Sequence, residues 1–80
     1  MTRLFVKAGR KEGIHPLVIV RILAEEADLP SAEVGAIDIF DHFTFVEVPS
    51  QSVAHVMEVL NRTRWQGKRL QATRARPRGQ

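Results

Sequence analysis

The sequence predicts an α+β sandwich, a four-stranded antiparallel sheet with two helices laid on one of its faces. Three observations carry this. Residues 3–8 (RLFVKA) and 43–48 (FTFVEV) alternate residue by residue as strands do. Two other stretches, opening near Pro16 and Ser50, repeat apolar residues at helical spacing. The elements run strand, helix, strand, strand, helix, strand, so that one unit is used twice.

The first strand is predicted over residues 3–8 (RLFVKA), closed by Gly9; residues 9–14 (GRKEGI) form a loop between two glycines. Pro16 suits the first position of a helix, where its missing N–H costs nothing. Ile19, Val20, Leu23, Ala24 and Ala27 then follow as one stripe, with Asp28 and Pro30 beyond the end. Leu17, Val18 and Ile22 lie outside that stripe. They read either as a contact surface for another domain or second copy, or as a helix sunk deeper than usual.

A second strand is predicted over residues 34–41 (VGAIDIFD) and a third over 43–48, joined by a turn too short for anything except an antiparallel hairpin. Ser50 is a candidate N-cap for a second helix whose inner stripe is Val53, Val56, Met57 and Leu60. Residues 65–69 (WQGKR) make a bend, and residues 70–75 a weaker fourth strand. The domain is thus residues 1–75, and residues 76–80 (RPRGQ) are a flexible basic C-terminal tail. The order βαββαβ is the ferredoxin-like split βαβ arrangement. Right-handed crossovers place both helices on one side, leaving the other face of the sheet to solvent.

That open face explains an oddity of the third strand. Thr44, Val46 and Val48 form one face and Phe43, Phe45 and Glu47 the other, so two phenylalanines stand opposite a face already apolar enough for the core. The first strand agrees, with Leu4 and Val6 inward and Arg3, Phe5 and Lys7 outward. The first and third strands are expected to be central neighbours, which gathers Phe5, Phe43 and Phe45 into one exposed cluster. Burying a phenylalanine is worth roughly 1.5–3 kcal/mol, so a face that leaves three uncovered points to a ligand.

Bulk composition limits what that ligand's chemistry can be. Eighty residues build one small domain without room for a multi-part active site, and the chain has no cysteine, which excludes disulfides, thiolate nucleophiles and Cys-based metal sites. The longest apolar run, residues 17–20, is far short of the ~20 residues that span a bilayer, and the chain start lacks a signal-peptide stretch. A soluble, cytoplasmic protein with no membrane contact is expected.

The net charge of +3 conceals an uneven distribution. Residues 1–14 carry Arg3, Lys7, Arg10 and Lys11 against Glu12, a net of +3; residues 15–49 have a net of −6; residues 50–80 have a net of +6. With the last strand beside the first, Arg74, Arg76 and Arg78 are expected near Arg3, which turns two basic ends into one patch. Aromatic rings stack on bases and flanking cations hold phosphates, the combination of a single-stranded nucleic-acid platform. The candidate RNA-binding residues are Arg3, Phe5, Lys7, Arg10, Lys11, Phe43, Phe45, Arg74, Arg76 and Arg78, and the backbone amides of the 9–14 loop are candidates for phosphate contact.

Residues 4–9 (LFVKAG) and 41–48 (DHFTFVEV) resemble the two motifs of an RNA recognition motif, with Phe5, Phe43 and Phe45 at its stacking positions. Asp41 and His42 depart from that pattern, which has Lys/Arg and Gly there, and Thr44 replaces a small residue. More narrowly, LFVKAGRKEGI, VGAIDIFDHFTFVEVP and WQGKRL together are similar to the C-terminal RNA-binding domain of bacterial DEAD-box RNA helicases, over residues 3–75. The resemblance implies structured RNA, ribosomal RNA included, as ligand, and a helicase core in the same polypeptide that would use ATP and Mg. The chain itself carries no helicase motif, so neither a cofactor nor ATPase activity is expected within it. The alternative function is a protein-interaction domain that keeps this fold but uses the sheet face or first helix for a partner protein.

The remaining polar residues suggest no catalytic set. His15, His42 and His55 lack metal-ligand spacing and read as surface residues, and no metal site is expected. Asp38 and Glu47 point outward on neighbouring strands, where they could accept hydrogen bonds from base edges. Lys68 and Arg69 read as a solvated turn and Trp65 as a core-edge residue. Phe40, by alternation from Ile37 and Ile39, points to the open face at its outer edge, extending the platform or covering the hairpin.

Overall fold

The fold is that of a computed structural model, which describes residues 1–75. β1 (Thr2–Val6) lies in the middle of a four-stranded antiparallel sheet. It pairs on one side with β3 (Thr44–Val48), in the register Leu4 to Val46, Phe5 to Phe45 and Val6 to Thr44. β2 (Ile37–Ile39) continues the sheet beyond β3, with Asp38 opposite Phe45. On the other side of β1 comes the last strand, with Phe5 opposite Thr73. This order is consistent with a ferredoxin-like fold.

α1 (Pro16–Glu26) starts on its proline, as expected, and ends where Asp28 turns to a φ of 54° and lets the Leu29 N–H reach back to the Leu23 carbonyl. This closure returns Leu29 to the core, where it is buried. α2 (Val53–Arg62) is entered through a 3-10 turn at Ser50–Ser52. Ser50 is therefore not the cap of the helix; its hydroxyl is hydrogen-bonded to that of Thr2 at 2.7 Å.

Both helices press on one face of the sheet. Leu4, Val6, Val46 and Val48 are sealed against Ile19 and Leu23 of α1 and Val53, Val56 and Leu60 of α2. Val59 joins this core, while Met57 is only half-buried against it. The buried face of α1 is Ile19, Ile22 and Leu23, with Val18 and Val20 half-buried at its edges, while Ala24, expected in the stripe, is exposed; the stripe is turned toward Ile22, and of the three surplus apolar residues only Leu17 remains exposed. A lone exposed leucine is ordinary and marks no surface. Among the described residues Thr44 is the buried polar residue of the core, and it donates its hydroxyl to the Ala8 carbonyl at 2.8 Å.

Three segments differ from expectation. The second strand is short, because only residues 37–39 keep regular pairing; residues 35 and 36 still exchange backbone hydrogen bonds with Glu47. The bend at residues 65–69 is a small hairpin of its own, β4 (Arg64–Trp65) paired with β5 (Lys68–Arg69) through Gln66 and Gly67, both at positive φ. The last strand, β6 (Ala72–Arg74), is correspondingly shorter than residues 70–75. Its outer side is clamped by Asn61 of α2, whose amide accepts from the Ala72 N–H at 2.9 Å and donates to the Ala72 carbonyl at 3.1 Å. Residues 76–80, read as a basic tail, lie outside the described residues.

Candidate nucleic-acid interface

The helix-free face of the sheet carries four aromatic rings rather than three. Phe5 on β1 and Phe45 on β3 sit opposite one another with ring centroids 5.6 Å apart, edge to face. Phe43, just before β3, stacks on Phe5 at 5.7 Å and on Phe40 at 4.8 Å. Phe40 also meets the edge of Phe45. Phe5, Phe43 and Phe45 are half-buried by one another, and Phe40 is 44% exposed. Alternation from Ile37 and Ile39 thus places Phe40 in the cluster, and it extends the platform toward the turn.

Gly9 sets the position of the Phe40–Phe43 turn. A Cβ at residue 9 would sit 2.2 Å from the Phe40 carbonyl oxygen and 2.6 Å from the Phe43 nitrogen, so only glycine allows the two backbones to pass this closely. The approach is held by hydrogen bonds from the Arg10 N–H to the Phe40 carbonyl, 2.7 Å, and from the Lys11 N–H to the Asp41 carbonyl, 2.9 Å. These bonds correct one expectation. The amides of residues 9–14 are already satisfied within the protein and do not form a phosphate cradle, so Arg10 and Lys11 can offer only their exposed side chains.

The other cations are distributed less simply than chain position suggests. Arg3 extends across Phe45, its guanidinium carbon 4.5 Å from the ring centroid, and pairs with Asp38 on β2 at 3.0 Å. Asp38 therefore orients Arg3. Lys7, two residues past Phe5, is exposed beside the sheet. Arg74 does lie next to β1, but its register partner is Leu4, so alternation turns it to the helix side of the sheet edge while Thr73 faces the rings. Arg76 and Arg78 lie outside the described residues.

Glu12 was not singled out by the sequence, and it joins three pieces of this end of the molecule. One carboxylate oxygen accepts the Gly9 N–H at 2.7 Å and the other is bonded to His42 Nδ1 at 2.9 Å. Its backbone carbonyl accepts the indole N–H of Trp65. The His42 and Gly9 hydrogen bonds hold its carboxyl below its ordinary value of 4.5. The bond from the Gly9 N–H to the Glu12 carboxylate is half of a capping box, but glycine stands where a Ser or Thr would mark it in the sequence, and the partners at positions 42 and 65 are not legible there either. His42 is exposed, as expected, though paired, and Trp65 is the core-edge residue anticipated. Among the described residues no cluster of three or more His, Asp or Glu side chains is placed to hold a metal ion, and no helix is long and apolar enough to cross a membrane.

Clustered, half-exposed rings with cations around them make a surface that suits planar, anionic ligands. The chain belongs to the DbpA RNA binding domain family, whose pattern it matches over residues 3–74. It is 31% identical over 75 residues to an uncharacterized protein of Treponema pallidum, covering 94% of this chain and 33% of that one. It is 30% identical over 66 residues to the ATP-dependent RNA helicase DeaD of Haemophilus influenzae, covering 82% and 11%. With the ATP-dependent RNA helicase DbpA of Bacillus subtilis it shares 27% identity over 73 residues, covering 91% and 15%. The chain spans a third or less of the length of these relatives.

Proposed function

We propose that this domain is an RNA recognition motif that binds structured RNA on its helix-free sheet face and so directs a DEAD-box helicase core to its substrate. Bases stack on Phe43, Phe45 and Phe5, with Phe40 extending the row, while Lys7, Arg10 and Lys11 neutralise phosphates. Arg3, held over Phe45 by Asp38, forms the rim of the stack. Arg74, Arg76 and Arg78 supply long-range attraction from the end of the chain. The observation that carries this reading is the four-ring cluster left half-open on the face that no helix covers.

ATP, Mg and unwinding belong to a helicase core elsewhere in the same cytoplasmic polypeptide; this domain contributes affinity and position. Ribosomal RNA is the structured RNA that such a domain would engage. The competing role is a protein-interaction face, favoured by one feature: Asp38 neutralises Arg3 and Glu47 lies on the same face, so the centre of the platform is not strongly basic. Titration of the domain with a labelled RNA hairpin at rising salt separates the two. RNA binding predicts affinity that falls as a power of salt concentration, because each phosphate contact releases counterions; affinity insensitive to salt contradicts it.

A further inference from the structure

A cleft of about 590 Å³ opens beside the ring cluster, and neither the stacking face nor the family match accounts for it. Its walls include Lys7 past the end of β1, Glu12, His42, Trp65 of the small hairpin, and Lys68 and Arg69. It begins where the platform stops: His42 directly precedes Phe43, and Lys7 follows Phe5 by two residues, just past the end of β1. We infer that this cleft is a second RNA subsite, which takes the sugar–phosphate backbone of nucleotides running off the aromatic face; the inference rests on the RNA-binding reading above.

Charge is the first reason. Lys7, Lys68 and Arg69 line the cleft and are exposed, and among the ion pairs of the described residues none involves any of the three. The one acid in the lining, Glu12, has both carboxylate oxygens already engaged, by the Gly9 N–H and by His42. The cations are left to an outside anion, and a polyanion already held on the neighbouring rings is the anion nearest to hand.

Rigidity is the second reason. The Trp65 indole N–H is bonded to the Glu12 carbonyl, which ties the small hairpin to the turn that ends at Gly13, itself at a φ of 84°. Gln66 and Gly67 form a tight turn that fixes Lys68 and Arg69 on the far wall. Walls set before the ligand arrives lower the ordering cost of binding. Size is compatible, since small-ligand pockets run from about 300 to 1,000 Å³. Glu12 acts here as a positioning residue that ties three walls together.

The test uses a fluorescein-labelled single-stranded RNA dodecanucleotide of mixed sequence and three proteins: wild type, a Lys68→Ala/Arg69→Ala double variant, and Phe45→Ala. Losing two phosphate contacts should make the plot of log affinity against log salt shallower by about 1.4, at ~0.7 per contact for single strands. The unfolding midpoint should not move, because both side chains are exposed. In the wild type, RNA should also shift the Trp65 indole N–H resonance, which needs no substitution. If Phe45→Ala weakens binding while the double variant keeps the wild-type slope and the indole resonance stays still, the cleft is not a subsite and the platform stands. If the wild type fails to bind, or Phe45→Ala binds as well as wild type, the platform reading falls and the inference with it.

Discussion

Gly9→Ala tests whether the aromatic face is held in place by a backbone contact that no other residue allows. The added Cβ would lie 2.2 Å from the Phe40 carbonyl oxygen, 2.6 Å from the Phe43 nitrogen and 2.8 Å from the Asp41 carbonyl carbon. All three are main-chain atoms, so no side chain can swing aside. The turn carrying Phe40 and Phe43 has to retreat by roughly 1 Å to regain van der Waals distance. That retreat breaks the Arg10 to Phe40 and Lys11 to Asp41 hydrogen bonds, now 2.7 and 2.9 Å. Two bonds at about 0.5–1.5 kcal/mol each and an overpacking cost of about 1–3 kcal/mol outweigh the ~0.4–1 kcal/mol gained by stiffening the unfolded chain. The net loss is about 1–5 kcal/mol, a large part of the ~4–12 kcal/mol expected for a domain of this length.

Urea unfolding followed by the fluorescence of Trp65, the single tryptophan, measures that loss directly. The midpoint should fall sharply, and RNA affinity should fall too, because two rings of the platform ride on the displaced turn. A midpoint within about 0.5 kcal/mol of wild type, the range of an ordinary surface substitution, would refute the close approach and with it the placement of Phe40 and Phe43.

Three further outcomes follow from the packing and the acid–base chemistry. Thr44→Val keeps the shape but removes the hydroxyl that satisfies the buried Ala8 carbonyl, so calorimetry should show a loss of about 1–3 kcal/mol; an unchanged melting temperature would mean that the carbonyl has another donor. Asn61→Ala unclamps the edge strand, and the Ala72 amide should exchange with solvent faster than in wild type by at least the factor of about ten that 1.4 kcal/mol represents; equal exchange would show that the clamp contributes nothing. Glu12 has a lowered folded-state value, so its contribution to stability is complete above the ordinary value of 4.5 and is lost as pH falls through the lowered one. Urea midpoints taken from acid to neutral pH should therefore rise less steeply for Glu12→Gln than for wild type, and parallel curves would contradict the contact with His42 and Gly9.

The core elements were legible because their signals are local. Alternation in β1 and β3 separates Leu4, Val6, Thr44, Val46 and Val48 from the phenylalanines without any knowledge of pairing, and the structure buries the first set and half-opens the second. Pro16 and the Asp28–Pro30 region marked the ends of α1 for equally local reasons. What depends on register or on distant partners was not legible. Arg74 lies beside β1 as its place in the chain predicts, but the side it takes is decided by pairing with Leu4, which the sequence does not reveal. The β4–β5 hairpin has strands of two residues each, too short for any alternation to show. Arg3 looked like a free cation until β2 brought Asp38 within 3.0 Å, and Glu12 gained its importance from residues 30 and 53 positions away.

The central claim is that rings on the open face stack on RNA bases, and paired measurements on Phe43→Ala and Phe45→Ala test it most directly. Each variant should bind an RNA hairpin roughly 5- to 100-fold more weakly, the range of one lost stacking contact. Each should also lose less stability than the ~3–5 kcal/mol of a fully buried phenylalanine. Variants that unfold by that larger amount, or that remain folded and bind RNA as tightly as wild type, would show that the rings serve the protein's own packing rather than a ligand.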